Sequence, residues 1–203
     1  MDADHVGRGL HGLCSLEDLT LNFSYCPNLR CINGLGATFC PGTNLFNLQT
    51  LTLHLSHCTE IRDLRPFTRG VRELPALRRF DLNAAGCSKL GLSATDAEED
   101  SDIGGLGMEA LAGHPMLQSV ALVLTDCSRV SSYEPLAAGL RGLPALESLS
   151  MNLIGCQRLP WCLQRLFSTP EAFFGALAAA GGDASVTVGG SDLGRIVASL
   201  LVS

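Results

Sequence analysis

Residues 19–26 read LTLNFSYC and residues 51–58 read LTLHLSHC, two octapeptides identical at five positions. A segment that returns in the same phase constrains a fold more than any single motif, because similar segments adopt similar structure and pack on one another. Aligned on the cysteine, the chain contains five such copies. They are Leu16-x-x-Leu19-x-Leu21-x-Phe23-x-x-Cys26-x-x-Leu29, then Leu48 to Ile61 about Cys58, and Leu77 to Leu90 about Cys87. The fourth runs from Leu117 to Val130 about Cys127, and the fifth from Leu146 to Leu159 about Cys156. Successive cysteines are 32, 29, 40 and 29 residues apart, so the basic period is 29 and the longer steps carry insertions.

A second register repeats upstream of each copy. Val6, Leu10, Leu13 and Leu16 match Phe67, Val71, Leu74 and Leu77, and then Leu136, Leu140, Leu143 and Leu146. Spacings of four, three and three put these side chains on one face of a helix. A Leu-Pro-Ala-Leu step follows at 74–77 and 143–146, with His-Pro-Met-Leu at 114–117 as its variant. Proline lacks an amide hydrogen and biases the residue before it away from helix, so it marks the helix end. The unit reads as strand, loop, helix, turn.

These five phased copies resemble the leucine-rich repeat family. They are most similar to the long, helix-bearing repeats of ribonuclease inhibitors, with the loop cysteine of the cysteine-containing repeats of F-box proteins. The likeness covers about residues 6 to 160. The family pattern places Asn or Cys three residues after the Leu-x-Leu pair. Here an additional apolar-x step intervenes, at Phe23, Leu55, Ala84, Leu124 and Leu153. That step predicts a strand longer by two residues. The resemblance implies an α/β fold, a leucine-rich-repeat solenoid of about five repeats, with a parallel sheet on the concave face and helices on the convex face. Physically, no unit can bury its inward leucines alone, and stacking makes one continuous core.

The pattern breaks in three places. Pro41-Gly42 stands where the second unit's helix is expected, which predicts a turn and at most a short helix. The acidic residues Asp96, Glu98, Glu99, Asp100 and Asp102 fall in an insertion at about 93–103, read as a solvated loop without the residue order of an EF-hand. Beyond Leu159 the phasing stops, so the array is assigned to 1–160 and an atypical C-terminal cap to 161–203. Gly189-Gly190 within that cap lacks the Lys-Ser/Thr of a phosphate loop and the full dinucleotide fingerprint.

Composition narrows the function. The chain has 203 residues, 46% of them hydrophobic, and a net charge of −6, which disfavours a nucleic-acid partner. The first ten residues lack the cationic start and apolar run of a secretory signal, and no apolar stretch suits a bilayer. Nine cysteines with no CxxC pair suit a cytoplasmic, reducing setting. The repeated cysteine reads as a structural row of buried, weakly polar side chains. His54, His57 and Cys58 tempt a metal assignment, but the residues equivalent to His54 are Asn22, Asn83, Val123 and Asn152, which are poor zinc ligands. No catalytic set, metal or cofactor is expected.

What remains is the set of residues alternating with the buried leucines. Asp18, Thr20 and Asn22; Thr50, Thr52 and His54; Arg79, Asp81 and Asn83; Ser119, Ala121 and Val123; and Ser148, Ser150 and Asn152 are expected to face solvent on the concave sheet. Solenoids use such faces for recognition. The expectation is a non-enzymatic module, a scaffold, adaptor or complex subunit, that binds another protein through this face or the loop edge. Two alternatives stay open: a regulatory or targeting fragment of a longer array, since the pattern opens at the half-unit Val6 to Leu16, and a small nucleotide-using enzyme built on the Gly-Gly turn.

Overall fold

Alternating apolar and polar residues, ending in a turn, form a short strand in every copy. β1 spans Asp18–Asn22, β2 Thr50–His54, β3 Arg79–Asn83, β4 Ser119–Val123 and β5 Ser148–Asn152. The computed structural model describes residues 3–39, 45–91, 106–130, 139–140, 142–152 and 155–156. The turn expected about Pro41, the acidic insertion and the C-terminal cap lie outside the described residues.

The strands form one parallel sheet in the order β1-β2-β3-β4-β5. Their register pairs equivalent positions without a shift. Leu19, Leu51, Phe80, Val120 and Leu149 make one inward row, and Leu21, Leu53, Leu82, Leu122 and Met151 make the next. The three central strands bury these residues almost completely, while Leu21, Leu149 and Met151 in the outer strands are half-buried. A row is covered from both sides only where it has two neighbours.

The regular strand is five residues, shorter than the extra apolar step predicts. Ladder bonding nevertheless continues one residue further: the amides of Phe23, Leu55, Ala84 and Leu124 donate to the carbonyls of His54, Asn83, Val123 and Asn152 at 2.7–2.8 Å. Leu55, Ala84 and Leu124 keep their side chains buried. The chain then turns sharply, and the residue before each cysteine takes a left-handed conformation. These residues are Tyr25, His57, Gly86, Asp126 and Gly155, with φ between 58° and 79°.

On the other side of the core lie the helices α1 (Asp4–Gly9), α2 (Asn33–Thr38) and α3 (Arg65–Arg72), followed by a 3-10 helix at Met108–Leu111. They pack side by side in chain order. The spacing of four, three and three divides between two structures. Phe67 and Val71 lie on α3, which begins with Pro66 in its first turn and ends at Arg72. Leu74 and Leu77 belong to the turns that follow, closed by amide bonds from Leu74 to Val71 and from Leu77 to Leu74. Pro75 requires an extended residue before it, so the helix stops early while all four side chains stay buried. In the first copy Leu10 is buried, but Val6 and Leu13 remain 36% and 43% exposed, with α2 as the packed neighbour of α1 among the described residues.

Two features fix how closely the helices approach. A side chain on Gly70 would strike the backbone carbonyl of Gly36, and one on Gly36 would strike that of Pro66. The absence of Cβ atoms lets backbone lie on backbone. Between helices and sheet, Phe39 meets Phe67 edge-on at 5.6 Å, and Phe67 meets Phe80 at 6.3 Å. The two layers thus share one core.

His114 occupies the position that Leu74 and Leu143 fill in other copies, and it is only 1% exposed. Its Nε2 lies 2.9 Å from the Leu74 carbonyl oxygen, which can only accept, so that nitrogen carries the proton. Nδ1 then accepts the Met116 amide at 3.3 Å. Burial pushes the His114 pKa below its ordinary value, opposed by the bond to Leu74 and assisted by the nearby Arg72 charge.

Gly70→Ala is expected to cost about 1–3 kcal/mol through overpacking. Gly9→Ala, which meets no atom within 4 Å, should change stability little, and urea unfolding of both variants checks the contrast. For His114 the folded pKa is depressed, so the unfolded chain binds the proton more readily. Stability is therefore retained above about pH 6.5 and lost as pH falls below it. Urea unfolding of His114→Leu at pH 7 and pH 5 should show a smaller acid loss than the unsubstituted protein.

Candidate interaction surface

The face of the sheet turned away from the helices carries the other residue of each alternating pair. The register lines them up in three rows, with strands about 4.8 Å apart. Asp18, Thr50, Arg79, Ser119 and Ser148 form the first row, and Thr20, Thr52, Asp81, Ala121 and Ser150 the second. Asn22, His54, Asn83, Val123 and Asn152 form the third. All fifteen are exposed or half-buried, and no described element covers them.

Two local arrangements stiffen this face. Arg79 Nε donates to Asp81 Oδ2 at 2.8 Å, joining residues two apart on the same side of β3. The Arg79 side chain is 59% exposed, so the pair orients its partners more than it stabilises the fold. Asp81 Oδ1 is buried and has no hydrogen-bond partner among the described residues. Asn83 Oδ1 accepts from Ser56 Oγ at 2.9 Å and from the Ala85 amide at 3.1 Å, linking β3 to the turn after β2. Asn22 holds the Ser24 amide in the same way at 2.9 Å.

At the C-terminal ends of the strands, the cysteines make a regular ladder. The thiols of Cys58, Cys87, Cys127 and Cys156 donate to the carbonyls of Phe23, Leu55, Ala84 and Leu124 at 3.0–3.1 Å. Each of those carbonyls belongs to the preceding copy, three residues before its own cysteine. The described cysteines are free thiols. Burial raises the pKa of all four donors, to about 12 for Cys87 and about 11 for Cys156. They are therefore neutral and poor nucleophiles near neutral pH.

His54, His57 and Cys58, adjacent in sequence, point to three different places. His54 lies in the third outward row, and Cys58 is buried with its sulfur on the Phe23 carbonyl. His57 sits at a left-handed turn and stacks on Tyr25 at 4.9 Å with rings 20° apart. Among the described residues, no group of three or more His, Cys, Asp or Glu side chains converges as a metal site would require.

The Tyr25–His57 stack is a feature that reading by alternation passes over, because neither residue lies on a strand. A signal was present, however. In the aligned copies the position before the cysteine holds Tyr, His, Gly, Asp and Gly, and two glycines there indicate a left-handed backbone. A bulky residue in that conformation is strained, and the ring stack offsets part of the cost.

No family model matches the chain, and neither the curated proteins nor the solved structures contain a match. Among the described residues, no helix is long and apolar enough to cross a membrane.

The thiol ladder has a testable alkaline signature. A raised folded-state pKa keeps the native proton on sulfur while the unfolded chain loses it. Stability is then fully present below about pH 9 and falls above it, by up to about 1.4 kcal/mol per pH unit for each thiol. Urea unfolding at pH 8 and pH 10 should show the decline. Cys87→Ala should reduce its slope, while losing about 1–2 kcal/mol at pH 8 through the missing bond and the small void.

Proposed function

We propose that the chain is a leucine-rich-repeat solenoid that serves as a non-enzymatic protein-binding module, a scaffold, adaptor or complex subunit. In this reading the five-stranded sheet lines the concave side of an arc and the row of helices its convex side. The observation that carries it is the contrast between the two faces of the sheet. One face is closed by helices over a continuous apolar core, and the other presents three ordered rows of mostly small polar side chains that no described element covers. Stacked units extend this face across several strands, the kind of extended surface that solenoids use for binding.

The arrangement at the centre of that face suits recognition. Arg79 is held by Asp81, so its guanidinium is oriented, and two rows away His54 and Asn83 stand opposite one another with further polar groups. Small residues at Thr52, Ala121 and Ser150 leave room for a partner's side chains beside the Asp81 carboxylate. Fixed polar groups between small neighbours give orientation at little entropic cost. The reading includes a reducing, intracellular setting, consistent with cysteines that act as thiol donors.

The test is affinity capture from source cells with the unsubstituted protein and with the variant His54→Ala/Arg79→Ala/Asp81→Ala. These side chains are exposed or half-buried, so the variant should keep its circular dichroism spectrum. The partners recovered by mass spectrometry should fall by about tenfold, as expected when central interface residues are truncated. Undiminished capture by a folded variant removes the sheet face from the reading.

A further inference from the structure

A second surface lies along the edge formed by the loops that follow each cysteine, and its charge runs against that of the chain as a whole. Two residues after the cysteine stand Asn28, Glu60, Lys89 and Arg129, and four residues after it stand Arg30 and Arg62. The unshifted register brings these loops to the same end of the sheet. Lys89 reaches back to form an ion pair with Glu60, so side chains in this row extend along it from one loop to the next. Lys89 holds the Glu60 carboxyl below the usual carboxylate range, and Arg30 and Arg62 lower it further. Three cations, Lys89, Arg30 and Arg62, therefore act on the one carboxylate of Glu60, and Arg129 stands in the loop beyond Lys89, three residues after the exposed Asp126. No ion pair among the described residues includes Arg30 or Arg129, and both are exposed.

Beside this basic edge lies the Tyr25–His57 stack, at the turns just before the same cysteines. Tyr25 is 73% exposed and carries a positive φ of 61°. A glycine would occupy that backbone without strain, as Gly86 and Gly155 do in later copies. The strained position instead presents a large flat ring to solvent. Aromatic faces and arginines are the groups that most often anchor a partner.

We propose that this loop edge is a docking surface for an acidic segment of a partner protein that also carries an aromatic residue. The partner's carboxylates pair with Arg30 and Arg129, and its ring packs on Tyr25. The span suits an extended peptide: three strand spacings separate the first and fourth loops, about 14 Å, which four or five extended residues cover. Local charge complementarity identifies the occupant, because exposed Arg30 and Arg129 stand at the two ends of this row of loops and attract carboxylates. The proposal rests on the reading of the chain as a protein-binding module and assigns one of its surfaces a partner chemistry.

The experiment uses fluorescence anisotropy with two labelled peptides of about twelve residues, long enough to span the edge. One contains Glu, Asp and Trp, and the other has the same charge without Trp. Both should bind saturably at low salt, the Trp peptide more tightly. Arg30→Glu/Arg129→Glu should weaken both by about tenfold or more, as like charges replace opposite ones. Arg69→Glu/Arg72→Glu, an equal change in net charge on the exposed side of α3, should leave both unaltered. Tyr25→Ala should remove most of the preference for Trp, about threefold to tenfold, and spare the peptide without Trp. Absence of saturable binding, equal losses in the two charge-reversed variants, or tighter binding of a single-stranded oligonucleotide would each overturn the proposal. Any of these results with undiminished capture of sheet-face partners rejects the loop edge alone and leaves the binding-module reading intact.

Discussion

Four carbonyl oxygens, those of Phe23, Leu55, Ala84 and Leu124, each accept two hydrogen bonds. One comes from the amide of the cysteine three residues on, and the other from the thiol of the next copy's cysteine. The first bond closes the turn and the second ties that turn to its neighbour. Because the thiol sits at the end of a strand already paired in register, the loops cannot drift relative to the strands. The left-handed residue before each cysteine follows from the same geometry. So does the alignment of the loops into an edge. Each carbonyl is already bonded within its own turn, so the thiol occupies its second lone pair and adds about 0.5–1.5 kcal/mol per rung, which a small, buried donor can supply at this place.

Much of this organisation was legible in the sequence, because its cause is periodic. The inward leucines, the outward polar rows and the cysteine row all follow from side chains alternating about a strand. The five-stranded parallel sheet realises that alternation. Other features have causes that alternation does not encode. The proline step marked the helix end, and α3 stops at Arg72, just before it, but the spacing did not reveal that Leu74 and Leu77 continue the buried face from turns rather than from helix. Phe23 and its equivalents keep the inward direction of a strand residue without extending the regular strand. The stack of Tyr25 on His57 depends on contact between two loops, which becomes visible only once the register is known. Within the outward rows, the sequence set Arg79 and Asp81 near one another but could not reveal that one carboxylate oxygen is bonded while the other has no partner among the described residues.

The surface chemistry divides along the same geometric lines. Outward strand positions carry small polar side chains and few charges. The loop edge collects four cations within a chain that has more acidic than basic residues. A solvent-facing sheet requires only hydrophilic, strand-compatible residues, and Thr, Ser and Asn meet that need. Nothing in the fold requires arginine at Arg30 or Arg129, or tyrosine at the left-handed turn. Departures from what the scaffold asks are where recognition can be sought.

Near-identical rungs create a hazard of their own, since a strand could pair with the wrong copy and still bury its leucines. Misassembly of this kind is a known failure of repetitive chains. The irregular residues act as keys against it. The ring of His57 lies where a side chain on Gly86 would be, so a neighbour with Asp126 at that turn would not seat against it. The imidazole of His114 bonds the Leu74 carbonyl and the Met116 amide, and a leucine in its place would lose both bonds. Each mismatch is tolerable only in its own slot, so the sequence differences among the copies number the strands and allow them to assemble in one order.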